Sequence, residues 1–96
     1  MTPVFTVITT SEFERAFHKL VRHHAELSGY YERAVSILER DPYNRTRLHP
    51  IKKLKDLRTG DGQYRIRFGR FRFRYDIERP VVYLKTCGIR REDTYR

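Results

Sequence analysis

Residues Tyr64–Tyr75, YRIRFGRFRFRY, decide the fold. Apolar and arginine side chains alternate along two arms, and Gly69-Arg70 separates the arms. Gly in the first central position suits a type II′ turn, whose twist matches that of the flanking strands. A two-residue turn there sets Phe68 opposite Phe71, Ile66 opposite Phe73 and Tyr64 opposite Tyr75. These six share one face, because side chains alternate along a strand. The other face then carries Arg67 opposite Arg72 and Arg65 opposite Arg74. Like charges directly across a ladder cost a few tenths to about 1 kcal/mol per pair. A solvated basic face would be the plain reading of the pattern. Four arginines in facing pairs, with no Thr, Glu or Lys mixed in, instead imply an anion between them.

Working outward, the 96-residue length predicts one domain, spanning 1–96, and 39% hydrophobic content supports a compact α+β core. The single cysteine, Cys87, can form no internal disulfide, and it reads as a small buried residue. The first ten residues, MTPVFTVITT, lack the charged start and apolar run of a signal peptide. No stretch approaches the roughly 20 apolar residues of a membrane span. The expected location is cytoplasmic. Net charge is +9, and it is unevenly spread. Residues 1–41 hold five Lys/Arg against six Asp/Glu, whereas 42–96 hold sixteen against six. The basic surface therefore belongs to the C-terminal sheet, and its natural partner is polyphosphate or an acidic protein segment.

N-terminal to the hairpin, Val4–Ile8 reads as a strand. Ser11 with Glu14 forms a capping box that opens a helix over about 12–26. Phe13, Phe17 and Leu20 recur on one stripe of it. Ser28-Gly29 reads as a break before a second helix, with Ala34, Val35 and Leu38 inward, ending before Asp41-Pro42. Residues 42–50 read as a loop. Ile51–Leu57 returns the chain to the sheet, with Leu54 and Leu57 as anchors. On the C-terminal side, Glu78-Arg79-Pro80 turns into a strand over Val81–Thr86, and GIRREDTYR forms a charged tail. The predicted architecture is α+β: an N-terminal strand and a helical hairpin, then a three- to four-stranded, mainly antiparallel twisted sheet with helices on one face.

Arg65, Arg67, Arg72 and Arg74 are the strongest constellation for chemistry. Arginine forks bind phosphate bidentately and stay charged, so they could hold an RNA backbone and stabilise charge that builds at an attacked phosphodiester. Lys52, Lys53, Lys55 and Arg91 extend the basic surface. Tyr95 either plugs a surface groove, stacks on a base or moves a proton. Arg90 joins the anion site if the tail folds over the hairpin. His49 is a candidate acid or base, whereas His18, His23 and His24 read as surface or rim positions. No metal-ligand spacing, phosphate loop, dinucleotide fingerprint, CxxC or Ser/His/Asp pattern is present, and no cofactor is implied.

The order strand, helical hairpin, KLKDL, YRIRFGRFRFRYDI, apolar strand and GIRREDTYR resembles the RelE/ParE superfamily of bacterial toxin–antitoxin toxins. The likeness runs over nearly the whole chain and is most specific in 53–96. It implies a ribosome-dependent endoribonuclease in which the 2′-hydroxyl of mRNA attacks the adjacent phosphate, leaving a 2′,3′-cyclic phosphate and a 5′-hydroxyl. The family's basic strand pair falls on Arg65 and Arg67, and its next-strand arginine on Arg72. The arginine after the last strand's glycine falls on Arg90, and the C-terminal tyrosine on Tyr95. The strand positions carry Arg where RelE-like enzymes often carry Lys, and Ile89 stands where many relatives carry His. Arginine is a poor general base, so proton transfer falls to His49, Glu92 or Tyr95. The resemblance also implies a cognate antitoxin held in a hetero-oligomer, with mRNA and the ribosome as the other partners. Two other functions fit the same residues: a ParE-like poison of DNA gyrase without nuclease activity, and a non-catalytic RNA- or ribosome-binding module.

Overall fold

A computed structural model describes residues 4–90. Arg91, Glu92 and Tyr95, expected at the site, lie outside the described residues. Seven elements follow in order: β1 (Thr6–Thr9), α1 (Ser11–Val21), α2 (Leu27–Leu38), β2 (Ile51–Lys53), β3 (Tyr64–Phe68), β4 (Phe71–Glu78) and β5 (Val81–Ile89). The α+β class holds, with both helices on one face. The sheet is larger than predicted, five strands in the order β1-β5-β4-β3-β2. It is mixed, because β1 runs parallel to its neighbour β5 while the other pairs are antiparallel.

The β3–β4 register is the predicted one at all five rungs, from Tyr64 opposite Tyr75 to Phe68 opposite Phe71. Gly69 has φ +59, the conformation that the first central position of a type II′ turn needs and that only glycine adopts freely. Ile66, Phe68, Phe71, Phe73 and Tyr75 are all buried. Phe13 of α1 meets Phe73 edge-on at 5.8 Å, and Tyr30 of α2 stacks on Phe68 at 5.5 Å. The helical layer thus covers the aromatic face of the hairpin, and burial of this apolar area is the main stabilising term.

Helix boundaries differ from expectation. The N-cap of α1 is Thr10, not Ser11: its hydroxyl accepts from the Phe13 N–H at 3.2 Å and donates to the Leu84 carbonyl at 2.9 Å. Glu14 instead accepts from the Thr9 hydroxyl at 2.6 Å. Either Thr10 or Ser11 could cap, and the bond to β5 selects Thr10. Helix α1 ends at Val21, and Ser28 and Gly29 lie inside the first turn of α2 rather than at a break. Burial of Leu27, Ala34 and Leu38, with Tyr31 between, gives α2 a helical stripe that begins before Gly29.

Strand β5 continues past Thr86 to Ile89, with a bulge across from Arg74/Tyr75. The bulge takes Lys85 out of the ladder, so Leu84 pairs with Tyr75 while Thr86 pairs with Arg74 and Cys87 with Phe73. Without that shift Thr86 would face the aromatic core. With it, Leu84 and Cys87 are both buried, and Thr86 and Gly88 fall on the arginine face.

Candidate phosphate-binding face

Strand alternation puts Lys52, Arg65, Arg74 and Thr86 in one row across the outer face, and Arg67, Arg72 and Gly88 in the next. Arg65, Arg72 and Arg74 line a single hollow of about 320 Å³, together with Leu54 and the β5 segment Thr86–Ile89. Gly88 sits opposite Arg72, and a Cβ placed there would meet nothing within 4 Å. The missing side chain leaves room beside the guanidinium. The Arg90 N–H bonds the Arg70 carbonyl at 2.7 Å, which ties the chain after β5 to the tip of the hairpin. Continuing the rung order brings Arg90 to the same end of the outer face as Arg67 and Arg72. Among the described residues, no carboxylate lies within ion-pairing distance of Arg67 or Arg72.

Five of the expected site residues sit differently from a simple convergence. Arg67 shares the outer face, yet it borders a second hollow of about 540 Å³ at the β3 edge, with Tyr30, Arg33, Leu48, His49 and Phe68. His49 therefore stands by Arg67 and not in the hollow of the other three arginines. Arg74 is partly spent on structure: its Nε donates to the Gly62 carbonyl at 3.2 Å and its terminal nitrogen to the Asp61 carbonyl. Lys53 pairs with Tyr64, shares its face, and holds its ammonium 5.8 Å from that ring, so it lies on the helix side and not on the basic face. Ile51, two residues before it and opposite Ile66, fixes that orientation. Lys55 is exposed in the turn after β2.

The residue that sequence reasoning missed is Asp76. It is 1% exposed, and its carboxylate accepts from the N–H groups of Gly60, Gly62 and Gln63, each at 3.0 Å. Asp76 and Arg74 thus grip the Gly60–Gln63 loop from its donors and its acceptors at once. Gly62 is needed there, since a Cβ would lie 3.0 Å from Cβ of Arg74, and its φ is +80. The grip fixes the side chain of Arg74, which lines the hollow. An acid two residues after Arg74, on the arginine side of the strand, was the available signal.

Other titratable groups are structural. The Tyr75 hydroxyl donates to the Pro42 carbonyl at 2.7 Å, and burial pushes its ionisation far up. Burial also raises the Cys87 thiol to about 11, which suits a packed residue and not a nucleophile. Burial alone would raise the Asp41 carboxyl. Hydrogen bonds from the Thr46 hydroxyl and the Arg45 and Thr46 N–H groups, with His49 nearby, outweigh it and hold the carboxyl below its ordinary value. Among the described residues, no group of three or more His, Cys, Asp or Glu could hold a metal ion. No helix among them is long and apolar enough to cross a membrane.

Two helices on one face of an open, mixed five-stranded sheet, with a basic outer face, make a RelE-like fold. One solved chain that it resembles belongs to the toxin–antitoxin complex RelBE2 from Mycobacterium tuberculosis: 28% identical, covering 92% of this chain and 99% of that one, with a TM-score of 0.68. That likeness supports a RelE-like toxin as the class of protein. No protein-family model matches the sequence, and no curated protein matches it.

Proposed function

We propose that the chain is the toxin of a type II toxin–antitoxin pair and an endoribonuclease that cuts mRNA on the ribosome, in the cytoplasm. The observation that carries this reading is the hollow that brings Arg65, Arg72 and Arg74 together on the face left uncovered by the helices. The RelBE2 likeness supports the toxin role. Arg65 and Arg72 hold the scissile phosphate through their forks. Arg67 and Arg90 contact the flanking backbone from the hairpin end. As the 2′-hydroxyl attacks, charge grows on the phosphorus oxygens, and fixed guanidiniums stabilise it without reorganising. The bond to the 5′-oxygen breaks and that oxygen takes a proton from the protonated base or from water, leaving a 2′,3′-cyclic phosphate and a 5′-hydroxyl. No arginine can take the 2′-hydroxyl proton. That role falls to Glu92 or Tyr95, or to His49 from beside Arg67. A cognate antitoxin neutralises the basic face and keeps the toxin silent.

Induction of the wild-type chain should arrest growth and leave new 5′-hydroxyl ends on translated messages. Arg72→Ala should restore growth with cleavage reduced at least a hundredfold, an effect of about 2.7 kcal/mol on the barrier. Arrest with intact message and loss of DNA supercoiling would overturn the nuclease reading. Arrest unchanged in Arg72→Ala would remove the hollow from the mechanism.

A further inference from the structure

The end of β4 remote from the hairpin tip carries a second arginine group that the outer-face hollow does not use. There the C-terminus of α2, the loop after it, the β4–β5 turn and the chain entering β1 surround a hollow of about 200 Å³. Arg40, Arg45 and Arg79 line it, with Phe5, Tyr43 and Asp41. The Arg79 guanidinium carbon lies 5.4 Å from the Phe5 ring centre, and that of Arg45 lies 5.1 Å from Tyr43. The two rings meet edge-on at 6.1 Å. A guanidinium stacked on a ring is held by its flat face, and its N–H groups point outward in the plane, so the fork stays available. Among the described residues, no ion pair or side-chain hydrogen bond occupies Arg40, Arg45 or Arg79. Asp41 is the acid that lines the hollow, and its oxygens are turned to the loop. They accept from the Arg45 N–H at 2.7 Å, the Thr46 N–H at 3.2 Å and the Thr46 hydroxyl at 2.6 Å.

We propose that Arg40, Arg45 and Arg79 form a second RNA site, which takes two to three neighbouring backbone phosphates without regard to sequence. The site rests on the reading of the chain as an RNA-acting protein and adds a contact separate from the cleavage face. Its chemistry selects phosphate over base, because the ring faces that could stack a base already carry Arg79 and Arg45. Position makes it independent. Arg79 follows the end of β4, seven residues from Arg72, or about 23 Å at roughly 3.3 Å per strand residue. Tyr43 packs edge-on against Tyr64, on the helix side of the sheet, so the two sites also open on opposite faces. A strand lying in the outer-face hollow would have to turn round the end of the sheet to meet the second site, whereas a folded RNA can present separate phosphates to both faces, and two linked contacts raise its apparent affinity over either alone.

The test compares two RNAs by fluorescence anisotropy from 50 to 300 mM salt: a hexanucleotide and a 60-nucleotide transcript with stable hairpins. The variant Arg40→Gln/Arg45→Gln/Arg79→Gln should bind the transcript at least tenfold more weakly and lower its log–log salt slope by roughly 2, at about 0.7–0.9 per phosphate lost. Hexanucleotide affinity should not change. Arg40→Gln alone disturbs no ring stack, so it gives the single-contact decrement even if the triple variant unfolds. An unchanged transcript slope overturns the proposal, as does equal loss on both RNAs or an affinity loss seen with polyglutamate and not with RNA. Wild-type binding of the hexanucleotide with an unaltered transcript slope in the variant sinks this site alone. Failure of the wild type to bind the hexanucleotide sinks the reading of the arginine hairpin and this site with it.

Discussion

Replacing Asp76 probes whether the hollow's wall depends on one buried carboxylate. Oδ2 accepts two backbone N–H bonds and Oδ1 a third, all at 3.0 Å. Hydrogen bonds to a charged group contribute about 1.5–3 kcal/mol each, and a buried donor left without its acceptor costs about 1–3 kcal/mol. Asp76→Asn can keep its oxygen toward Gly60 and Gly62, but its amide then faces the Gln63 N–H. The charge is lost from all three bonds, one bond is lost outright and two donors oppose each other, so the expected loss is at least about 2–3 kcal/mol. Asp76→Ala loses both acceptor oxygens and all three hydrogen bonds. Gly60 is exposed and water can reach it, which limits the loss to about 3–5 kcal/mol. That is a large part of the 5–15 kcal/mol typical of a domain. Urea unfolding followed by circular dichroism gives both values from the shift in midpoint at constant slope. An Asp76→Ala protein within 0.5 kcal/mol of wild type, on the order of a neutral surface change, would show that the loop holds itself and that the grip is incidental.

The other expectations concern space, reactivity and acid. Gly88→Val should fold normally, since its Cβ meets nothing within 4 Å, yet fill the space opposite Arg72 and weaken hexanucleotide binding at least tenfold; wild-type affinity would mean that RNA does not enter there. At pH 8 Cys87 should alkylate roughly a hundredfold more slowly than an exposed thiol, because its ionisation lies at about 11 and not near 9.0. Iodoacetamide labelling at the rate of free cysteine would contradict its packing against the core. Asp41, held below its ordinary 3.8, stabilises the loop at neutral pH, and that contribution should fade as pH falls through 3.8 toward the lower folded value. Urea midpoints of wild type and Asp41→Asn should therefore converge on acidification, and a gap that stays constant from pH 6 to pH 2 would rule this out.

How far the residues alone could reach follows from the range of each interaction. The hairpin was fully legible, since a two-residue turn and a period of two leave one register, and every arginine on it was placed correctly by face. Lys53 was misassigned although Ile51 marks the same side of the strand; alternation applied to β2 would have corrected it. The helix starts were less legible because Thr10 and Ser11 are both competent caps, and a contact with Leu84, 74 residues on, chooses between them. The bulge at Lys85 and the loop held by Asp76 were out of reach. Each depends on which distant backbone lies opposite, across 13–16 residues in the case of Asp76.

The facing arginines of β3 and β4 have a consequence for the life of the empty protein. Arg65 against Arg74 and Arg67 against Arg72 repel across each rung, by a few tenths to about 1 kcal/mol a pair. On the proposed reading, a polyanion that settles on the ribbon relieves this repulsion. Selection for heat resistance alone would erase these residues. On the proposed reading, a substitution that relieves this repulsion would stabilise the scaffold and weaken its hold on phosphate at the same time.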